Sequence, residues 1–426
     1  MWNRDAETLD AGARARLQGA RLRETVAWAR ARVGFYRDRL PATAPDRLED
    51  LAALPFTRKS DLRAHYPFGL FAVRLPDIAR LHASSGTKGK PTVVGYTRED
   101  LDVWREVMAR MMVAAGCRPG DLLHNAFGYG LFTGGLGFHQ GAERVGMTVV
   151  PASSAPTARH RLLLQDFRPA GLCATPSFAL HIAEAMRAAG GAPDGCGLRY
   201  GMYGAEPWSE GIRRALEDAF GCPAYDVYGL SEIIGPGVAG ECEARDGMHV
   251  ADDHFLPEIV DPASDAPVEG GREGELVLTT LTKRGMPVIR YRTGDLTAVV
   301  PGACACGRTS ARIRRIKGRS DDMLIVRGVN LYPSEVEATL LAVTDLAPHY
   351  QLIVDRRETM ATLEIEVEPT EATVARAGGL AGLVGLRDEI AHRLRAALGL
   401  SVRVTLVAPR SLPRSEGKAV RVIERR

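Results

Sequence analysis

The chain has 426 residues, of which 45% are hydrophobic and 25% are charged, as is usual for globular proteins. Its formal net charge is only +3 and is spread along the chain, so the sequence shows no electrostatic signature of a nucleic-acid-binding protein. The opening residues lack the apolar core of a signal peptide, and no apolar run reaches the length of about 18 residues that spans a membrane. We therefore expect a cytoplasmic protein of two or three domains with reduced thiols.

The first chemically distinctive segment reads Ser-Ser-Gly-Thr-Lys-Gly-Lys-Pro at residues 84–91. Strand-like stretches at 79–83 and 92–96 flank it, which predicts a hairpin with this loop at its tip. Glycines let backbone N–H groups approach anionic oxygens, and hydroxyl and ammonium groups add hydrogen bonds and charge, so the loop suits a polyphosphate. It is not a Walker A loop, because Pro91 stands where that motif has Ser or Thr. A surface Ser/Gly turn is the plain alternative.

The spacing of apolar runs predicts the fold class. Between about 80 and 235, short apolar runs alternate with helical stretches, which indicates a mostly parallel sheet covered by helices. Residues 247–316 indicate an antiparallel, barrel-like β subdomain, and a small α+β unit follows, with a capping box from Ser334 to Glu337 and a polar tail after a last strand at 402–407. We predict an α/β protein with a large N-terminal domain over 1–319, its β subdomain at about 240–318, and a small mobile α+β domain over 320–426.

Several short motifs follow predicted strand ends, where parallel sheets bind their ligands. Residues 204–207 offer flat backbone for an adenine ring, 228–232 offer a hydroxyl and a carboxylate for Mg²⁺, and 291–295 place a carboxylate where ribose hydroxyls could reach it. Each motif alone is also a common turn. Residues 318–322 read as a hinge or an exposed linker, and Lys418 stands in the polar tail, where surface charge is the default interpretation.

The seven cysteines fall into two groups. Four lie singly in apolar or loop contexts, where ordinary packing is expected: Cys117, Cys173, Cys196 and Cys222. The other three join one histidine in a Cys₃His set suited to structural zinc: Cys242, His249, Cys304 and Cys306. His254 is an alternative to His249. Free thiols on neighbouring strands are the competing interpretation, because the C-x-C spacing departs from the usual C-x₂-C.

In their order along the chain these motifs resemble the adenylate-forming superfamily of acyl-CoA synthetases, adenylation domains and luciferases, and within it the phenylacetate–CoA ligases. The resemblance covers nearly the whole chain and rests on residues 33–37, 84–96, 128–137, 204–208, 228–237 and 413–421. It implies ATP, Mg²⁺ and coenzyme A as cofactors. A carboxylate would attack the α-phosphate of ATP to give acyl-AMP and pyrophosphate, and a thiol would then displace AMP.

The resemblance also implies a role for each matched residue. The catalytic residues would be Lys418, Glu232 and Lys90. The β- and γ-phosphates of the nucleotide would contact Ser84, Ser85, Gly86, Thr87, Lys88, Gly89 and Lys90. The adenine would be surrounded by Gly204, Ala205, Glu206, Pro207, Asp226, Val227, Tyr228 and Gly229. The α-phosphate would contact Ser231, and the ribose would contact Asp295 and Arg319. Glu232 would also hold Mg²⁺, and Asp321 would be the hinge. The acid would contact Tyr129, Phe132, Gly134, Phe138, Ala205, Ile234 and Gly235.

Two positions depart from the family pattern: Lys88 stands where relatives often have threonine, and Phe138 where many have a smaller residue. The expected acid is phenylacetate, with hydroxylated phenylacetates, benzoate and anthranilate left open, because one methylene in an apolar pocket is worth only about 1–3 kcal/mol. An enzyme that loads the acid onto a carrier protein is one alternative, and a degenerate nucleotide-binding regulatory protein is another. Against the latter, every charged position that the mechanism needs is filled. A homodimer is left open.

Overall fold

The computed structural model describes residues 1–43, 45, 47–84, 90–320, 322–326, 329–355, 362–414 and 420–425. By its internal contacts the chain forms two compact units. The first comprises residues 1–174, 196–205 and 223–315, and the second comprises 175–195, 206–222 and 316–426. The second unit thus joins the predicted small domain to two helical segments that precede it in the chain. The domain boundary at residue 319 stays a prediction.

The first unit contains seven α-helices among its described residues: α1 (Arg4–Glu7), α2 (Ala11–Arg32), α3 (Gly34–Arg37), α4 (Lys59–Ala64), α5 (Arg98–Ala114), α6 (Thr133–Val145) and α7 (Thr157–Phe167). Its strands are β1 (Arg80–Ala83), β2 (Val93–Tyr96), β3 (Leu122–Asn125), β4 (Thr148–Val150), β5 (Gly171–Ala174), β6 (Tyr200–Gly204), β7 (Ala224–Leu230), β8 (Gly235–Glu241), β9 (Met248–Val250), β10 (Phe255–Val260), β11 (Gly274–Thr280), β12 (Tyr291–Thr297) and β13 (Arg312–Ile313). Across the described helices, none is both long and apolar enough to cross a membrane.

Eight strands of the first unit form one sheet, in the order β13-β9-β8-β7-β6-β5-β3-β4. The neighbours from β4 to β7 run parallel, whereas β8, β9 and β13 are added antiparallel. All four residues of β5 are buried, as is typical of a strand in the middle of a parallel sheet. The mostly parallel sheet predicted from the alternating apolar runs is therefore confirmed.

The predicted barrel-like subdomain over 247–316 is only partly correct. Strands β10, β11 and β12 do pair antiparallel. Strands β9 and β13, however, pair with each other and join the large sheet. All three residues of β9 are buried, so this strand needs cover on both of its faces, which a place in the large sheet provides.

The hairpin predicted around residues 84–91 is present. Strands β1 and β2 pair antiparallel, with Arg80 opposite Tyr96 and Ala83 opposite Val93. At its base the Tyr96 ring stacks on Trp104 of α5, with the ring centroids 5.2 Å apart, and the Trp104 indole N–H donates to the carbonyl of Pro236 at 2.8 Å. The hairpin therefore stands on a rigid aromatic base that also contacts β8.

The second unit contains helices α8 (Pro176–Ala188), α9 (Glu210–Phe220), α10 (Pro333–Leu340), α11 (Glu371–Arg376) and α12 (Val384–Leu398). Its strands are β14 (Gly318–Arg319), β15 (Leu324–Val326), β16 (Val329–Leu331), β17 (Leu346–Asp355), β18 (Thr362–Pro369), β19 (Arg403–Leu406) and β20 (Val422–Arg425). Four of these strands form a sheet in the order β19-β18-β17-β20. Its core includes Leu352, Ile365, Val336 and Leu394.

Two predictions for this unit are wrong. The capping box is formed two residues earlier than predicted, because Pro333 occupies the first helical position and the Glu335 carboxylate accepts from the Tyr332 amide at 3.1 Å. The predicted polar tail contains a strand, β20, which pairs parallel with β17 from Leu352 opposite Val422 onward. The strand is only four residues long and stands among charged residues, and it pairs with β17 of the sheet.

Candidate active site

The turn between β7 and β8, residues 231–234, carries three of the predicted site residues, Ser231, Glu232 and Ile234, and is shaped by two glycines. A Cβ on Gly229 would lie 1.8 Å from the Gly235 carbonyl oxygen, and Gly235 itself has a φ of +113°. Only glycine fits where two main chains touch in this way. Strand β7 runs on to Leu230, so Tyr228 and Gly229 lie in the strand itself.

Two buried donors hold the carbonyl groups of the 231–234 turn. The Tyr96 hydroxyl lies 3.0 Å from the carbonyl oxygens of both Ser231 and Ile234. The Lys283 ammonium donates to the Glu232 carbonyl at 3.0 Å and is only 2% exposed. Burial lowers the pKa of Lys283 to about 8, although Asp100 and Glu232 act to raise it. Side chains from other elements therefore fix the turn.

The side chains of the turn face partners that the sequence did not identify. The Ser231 hydroxyl lies 3.2 Å from that of Thr133, at the start of α6. The Glu232 carboxylate is only 7% exposed and lies 3.9 Å from the ammonium of Lys59, at the start of α4. The turn thus brings the predicted α-phosphate residue beside α6, the helix that carries the predicted acid contacts Gly134 and Phe138, and the predicted magnesium residue beside α4.

Two predicted adenosine contacts meet at the ends of β7 and β12. The Tyr228 hydroxyl donates to the Asp295 carboxylate at 2.6 Å, and the Asp295 amide is held by the Thr293 hydroxyl at 3.0 Å. Asp226 faces elsewhere, since its carboxylate pairs with Arg315 at 3.2 Å. Tyr228 and Asp295 therefore form one oriented pair.

The backbone of the segment after β6 is held in a restricted conformation. A Cβ on Gly204 would lie 2.2 Å from the Val227 carbonyl oxygen, and Ala205 has a φ of +69°, which non-glycine residues rarely adopt. In the second unit, Glu206 accepts at 2.7 Å from the Ser177 amide at the N-terminus of α8. A carboxylate there is favoured by the helix dipole, so Glu206 has a capping role that the sequence did not predict. Pro207 is exposed.

The base of the hairpin is joined to the aromatic segment at 129–137. The Leu131 carbonyl accepts from the Ala83 amide and lies 3.0 Å from Nδ1 of His82. The Ser84 hydroxyl accepts from the Thr92 amide at 3.3 Å and so closes the base of the tip. Lys90 is exposed, with its ammonium 5.2 Å from the centre of the Tyr66 ring.

Within the aromatic segment, Tyr129 is the best-fixed polar group. Its hydroxyl accepts from the Asn125 amide group at 2.8 Å and lies 3.0 Å from Nδ1 of His139. Burial raises the pKa of Tyr129 well above its usual value, so this phenol stays neutral. The segment therefore contains a neutral phenol whose hydroxyl is held by two protein groups.

Phe138 is a core residue of this region. It is 1% exposed and stacks on Phe127, with ring centroids 5.1 Å apart. A Cβ on Gly134 would meet the Phe132 ring at 2.6 Å, so glycine is needed where that ring lies against α6. The predicted acid contacts of Phe132, Gly134 and Phe138 stay predictions.

Several predicted residues lie outside the described part of the chain: Ser85, Gly86, Thr87, Lys88, Gly89, Asp321 and Lys418. Arg319 is described in β14 of the second unit, and its ribose contact stays a prediction.

The predicted Cys₃His residues are brought together. The ligand atoms of Cys242, His249, Cys304 and Cys306 all lie within 4.8 Å of one another. The sulfurs of Cys242 and Cys304 are 3.6 Å apart, and the Cys306 sulfur is 3.3 Å from Nε2 of His249. Two thiolates bound at about 2.3 Å to one tetrahedral zinc would lie about 3.8 Å apart. The spacing of this Cys₃His cluster therefore fits one tetrahedral ion.

The alternative ligand His254 is engaged elsewhere. Its Nδ1 lies 2.8 Å from the Thr282 hydroxyl and its Nε2 lies 3.2 Å from the Asp253 carboxylate. His249 directs Nε2 into the Cys₃His cluster while Nδ1 lies 3.2 Å from the Ser310 hydroxyl. Burial lowers the pKa of His249 to about 4, which keeps a ring nitrogen available as a ligand. The structure thus selects His249.

Sequence reasoning missed four residues of the site: Lys59, Tyr96, Thr133 and Lys283. Tyr96 and Thr133 stand inside the segments 84–96 and 128–137, but no local pattern signals the role of any of the four, because each acts through a contact with the 231–234 turn across the fold. A lysine between the apolar runs 276–278 and 286–289 was the one available signal.

Comparisons with known proteins place this site in context. A family model described as AMP-binding enzyme matches residues 17–281, and one described as AMP-binding enzyme C-terminal domain matches residues 328–426. The chain is 50% identical over 437 residues to the phenylacetate-coenzyme A ligase of Thermus thermophilus, covering 99% of this chain and 98% of that one. It is 48% identical over 417 residues to the Escherichia coli phenylacetate-coenzyme A ligase, covering 96% and 94%.

Solved structures of one CoA ligase also match this chain over nearly its whole length. A crystal structure of 2-hydroxyisobutyryl-CoA ligase in the postadenylation state matches with a TM-score of 0.93 at 34% identity, covering 99% of this chain and 92% of that one. In its thioesterification state, the same ligase matches with a TM-score of 0.72, covering 99% and 91%.

Gly229→Ala should destabilise the first unit, because its Cβ would collide with the Gly235 backbone, which cannot rotate away as a side chain can. We expect a loss of about 1–3 kcal/mol, the usual cost of overpacking, measured as a lower urea midpoint. The control is Gly385→Ala in α12, where a Cβ meets nothing within 4 Å. That variant should gain about 0.5–1 kcal/mol from helix propensity. Equal midpoints for both variants would show that the close approach is not needed.

Proposed function

The chain belongs to the phenylacetate–coenzyme A ligase family of the AMP-binding enzymes, and we propose that it activates phenylacetate as acyl-AMP and transfers the acyl group to coenzyme A. The predicted fold class is confirmed as the α/β adenylate-forming fold with a large N-terminal and a small C-terminal domain. The observation that carries the proposal is the 50% identity to the Thermus thermophilus ligase over nearly the full length of both chains. In this proposal, the 231–234 turn would contribute the Ser231 hydroxyl and the Glu232 carboxylate to the reaction.

The first step joins two anions, a carboxylate and a triphosphate, so positive charge and oriented donors are required. Glu232 is the residue that would hold Mg²⁺, and the ion would neutralise charge on the phosphate oxygens. The Ser231 hydroxyl would donate to the α-phosphate. The ammonium groups of Lys59, beside Glu232, and of Lys90, exposed at the hairpin, supply further charge.

The adenosine half would be oriented by the pair from β7 and β12. A carboxylate accepts hydrogen bonds from both ribose hydroxyls only if it is held in one orientation. The Tyr228 hydroxyl holds the Asp295 carboxylate at 2.6 Å, which supports this role. We assign adenine to the constrained backbone at 204–207.

An aryl ring would lie against the aromatic segment at 129–137. The neutral Tyr129 hydroxyl and the packed ring of Phe138 would border it, which favours a flat aromatic acid over a charged or highly polar one. We propose phenylacetate as the substrate because both compared relatives that share about half of the residues carry that name.

The proposed activity predicts strict acid dependence. With ATP and Mg²⁺, the protein should release pyrophosphate and AMP only when phenylacetate or a close aromatic acid is present. A panel of phenylacetate, hydroxyphenylacetates, benzoate, anthranilate and 2-hydroxyisobutyrate, each with and without coenzyme A, measures this by pyrophosphate release. ADP as the product, or equal rates with and without acid, would overturn the proposal.

We also propose that the lysine-bearing tail moves between the two steps. Lys418 would assist adenylate formation and must then withdraw so that a thiol can attack the same carbonyl, and Asp321 is the proposed pivot. In the second unit, four buried or half-buried residues, hereafter the Glu184 network, hold the segment before Lys418: Glu184, His349, Glu368 and Arg414. Arg414 binds Glu368 at 2.8 and 2.9 Å and Glu184 at 3.1 Å.

The Glu184 network would stabilise the arrangement used in the first step. Glu368 is 1% exposed and also accepts from the amides of Arg410 and Leu412, so it belongs to the small domain in any arrangement. Glu184 lies on α8, far away in the chain, and binds both His349 and Arg414. The contacts of Glu184 are therefore the ones that a rotation about Asp321 would break.

Glu184→Gln should slow adenylate formation about 10-fold, since it weakens one charged hydrogen-bonded contact, and should spare thioester formation from supplied acyl-AMP. Lys418→Ala should show the same split more strongly. Pyrophosphate release and acyl-CoA formation measure the two steps separately. Glu389→Gln is the control, because its exposed pair with Arg393 on α12 should be worth little. Equal slowing of both steps would mean that the Glu184 network is only structural.

The Cys₃His cluster would bind one structural zinc, since four protein ligands leave no open position for a substrate. Metal analysis should find about one zinc per chain, and Cys304→Ser or His249→Ala should lose it and melt at a lower temperature. Cys222→Ser, a buried cysteine elsewhere in the chain, should keep the zinc. Metal-free protein with free thiols at Cys242, Cys304 and Cys306 and unchanged melting would contradict the assignment.

A further inference from the structure

Lysine is rare in this chain. Only six of its 55 basic residues are lysines, at positions 59, 88, 90, 283, 317 and 418. Arginine carries most of the positive charge of the chain, and a compact primary ammonium differs from a planar guanidinium in its hydrogen bonding. Three of the six belong to the predicted phosphate loop and tail. Lys283 belongs to no motif.

Lys283 is also the most deeply placed of the described lysines. It lies between β11 and β12, is 2% exposed, and donates to the Glu232 carbonyl at 3.0 Å. Its ammonium lies 4.9 Å from the centre of the Tyr96 ring. The Tyr96 hydroxyl contacts the carbonyls on either side, those of Ser231 and Ile234. Lysine and tyrosine together hold three carbonyls of a four-residue turn.

Burying an ammonium is costly unless anions compensate it. Two carboxylates do so, those of Asp100 and Glu232. Asp100 is itself buried and accepts from the amides of Arg284 and Gly285 at 2.6 and 2.8 Å, which fixes the segment that carries Lys283. A neutral hydrogen-bond donor could satisfy the Glu232 carbonyl without any compensating carboxylate nearby. The charge therefore has a purpose beyond one hydrogen bond.

We propose that Lys283 is a positioning residue for nucleotide activation: from beneath the 231–234 turn, its ammonium sets the turn so that Ser231 and Glu232 meet the phosphates and Mg²⁺, and it offsets the negative charge gathered there. This inference rests on the proposed function. Because triphosphate and Mg²⁺ take part only in the first step, Lys283 acts on adenylate formation and has little effect on thioester formation.

The test compares Lys283→Met with the unchanged protein in the two half-reactions. Adenylate formation should fall about 10- to 100-fold, the range expected for one lost charged hydrogen bond, while thioester formation from supplied acyl-AMP stays within about 3-fold. Arg284→Met is the matched control. Arg284 is the next cation in the same segment, but its side chain contacts Glu24 and the Trp28 ring. Both half-reactions should be unchanged in that variant.

Equal losses in both half-reactions of Lys283→Met, or no loss in either, would overturn the proposal. If Lys283→Met fails to fold, Tyr96→Phe decides. That variant keeps the buried ring and removes only the hydroxyl that contacts Ser231 and Ile234. It must show the same selective loss of adenylate formation, and an unselective loss or none would also overturn the proposal.

Failure of the proposed function would be recognised separately. It would appear as an unchanged protein that makes no acyl-AMP with any acid of the panel. Lys283 would then be judged by the affinity for ATP with Mg²⁺, measured by calorimetry without any acid. Lys283→Met should weaken that affinity about 10-fold, and Arg284→Met should leave it unchanged. Equal affinities in the two variants would refute the positioning role.

Discussion

Two main chains touch where β7 meets β8, and the site depends on that contact. Gly229 and Gly235 approach so closely that a single Cβ would penetrate the facing carbonyl. The chain can then reverse within four residues, which keeps Ser231 and Glu232 beside Thr133 and Lys59. A looser connection would lengthen the turn and move its carboxylate away from the helices that surround it.

A tight turn exposes its carbonyls to the protein interior, and unsatisfied carbonyls there are costly. Because the turn is not part of a sheet, the side chains of Tyr96 and Lys283 donate hydrogen bonds to its carbonyls. A buried charge is satisfied in a similar way in the Glu184 network, where the Glu368 carboxylate accepts hydrogen bonds from two backbone amides and from one arginine. Both regions place ionised groups in the interior only where several donors or opposite charges meet them.

Local patterns were enough to predict the elements that carry their own signal. The hairpin around residues 84–91 and the parallel sheet from β4 to β7 follow from turn chemistry and from apolar periodicity. The Cys₃His cluster was also predictable, since its ligand types are distinctive wherever they lie. These features need little knowledge of distant neighbours.

The features that escaped prediction are set by tertiary contacts. Glu337 looked like a helix cap, but it is buried and accepts from Ser209 and Tyr350, residues that the chain brings together only on folding. Strand β20 was not predicted because its own composition does not indicate a strand. It is a strand because it pairs with β17. The role of Lys283 was not predictable for the same reason, because the Glu232 carbonyl that it contacts lies far away in the sequence.

The scarcity of lysine also bears on chemical self-protection. An acyl-adenylate is a mixed anhydride, and it acylates free amines. A guanidinium stays protonated in proteins and lacks a nucleophilic lone pair, whereas a lysine deprotonates readily enough to react. Of the described lysines, Lys283 is buried, Lys59 and Lys317 lie beside carboxylates, and Lys90 is exposed. A surface whose positive charge is almost entirely arginine offers an escaping intermediate few amines to modify.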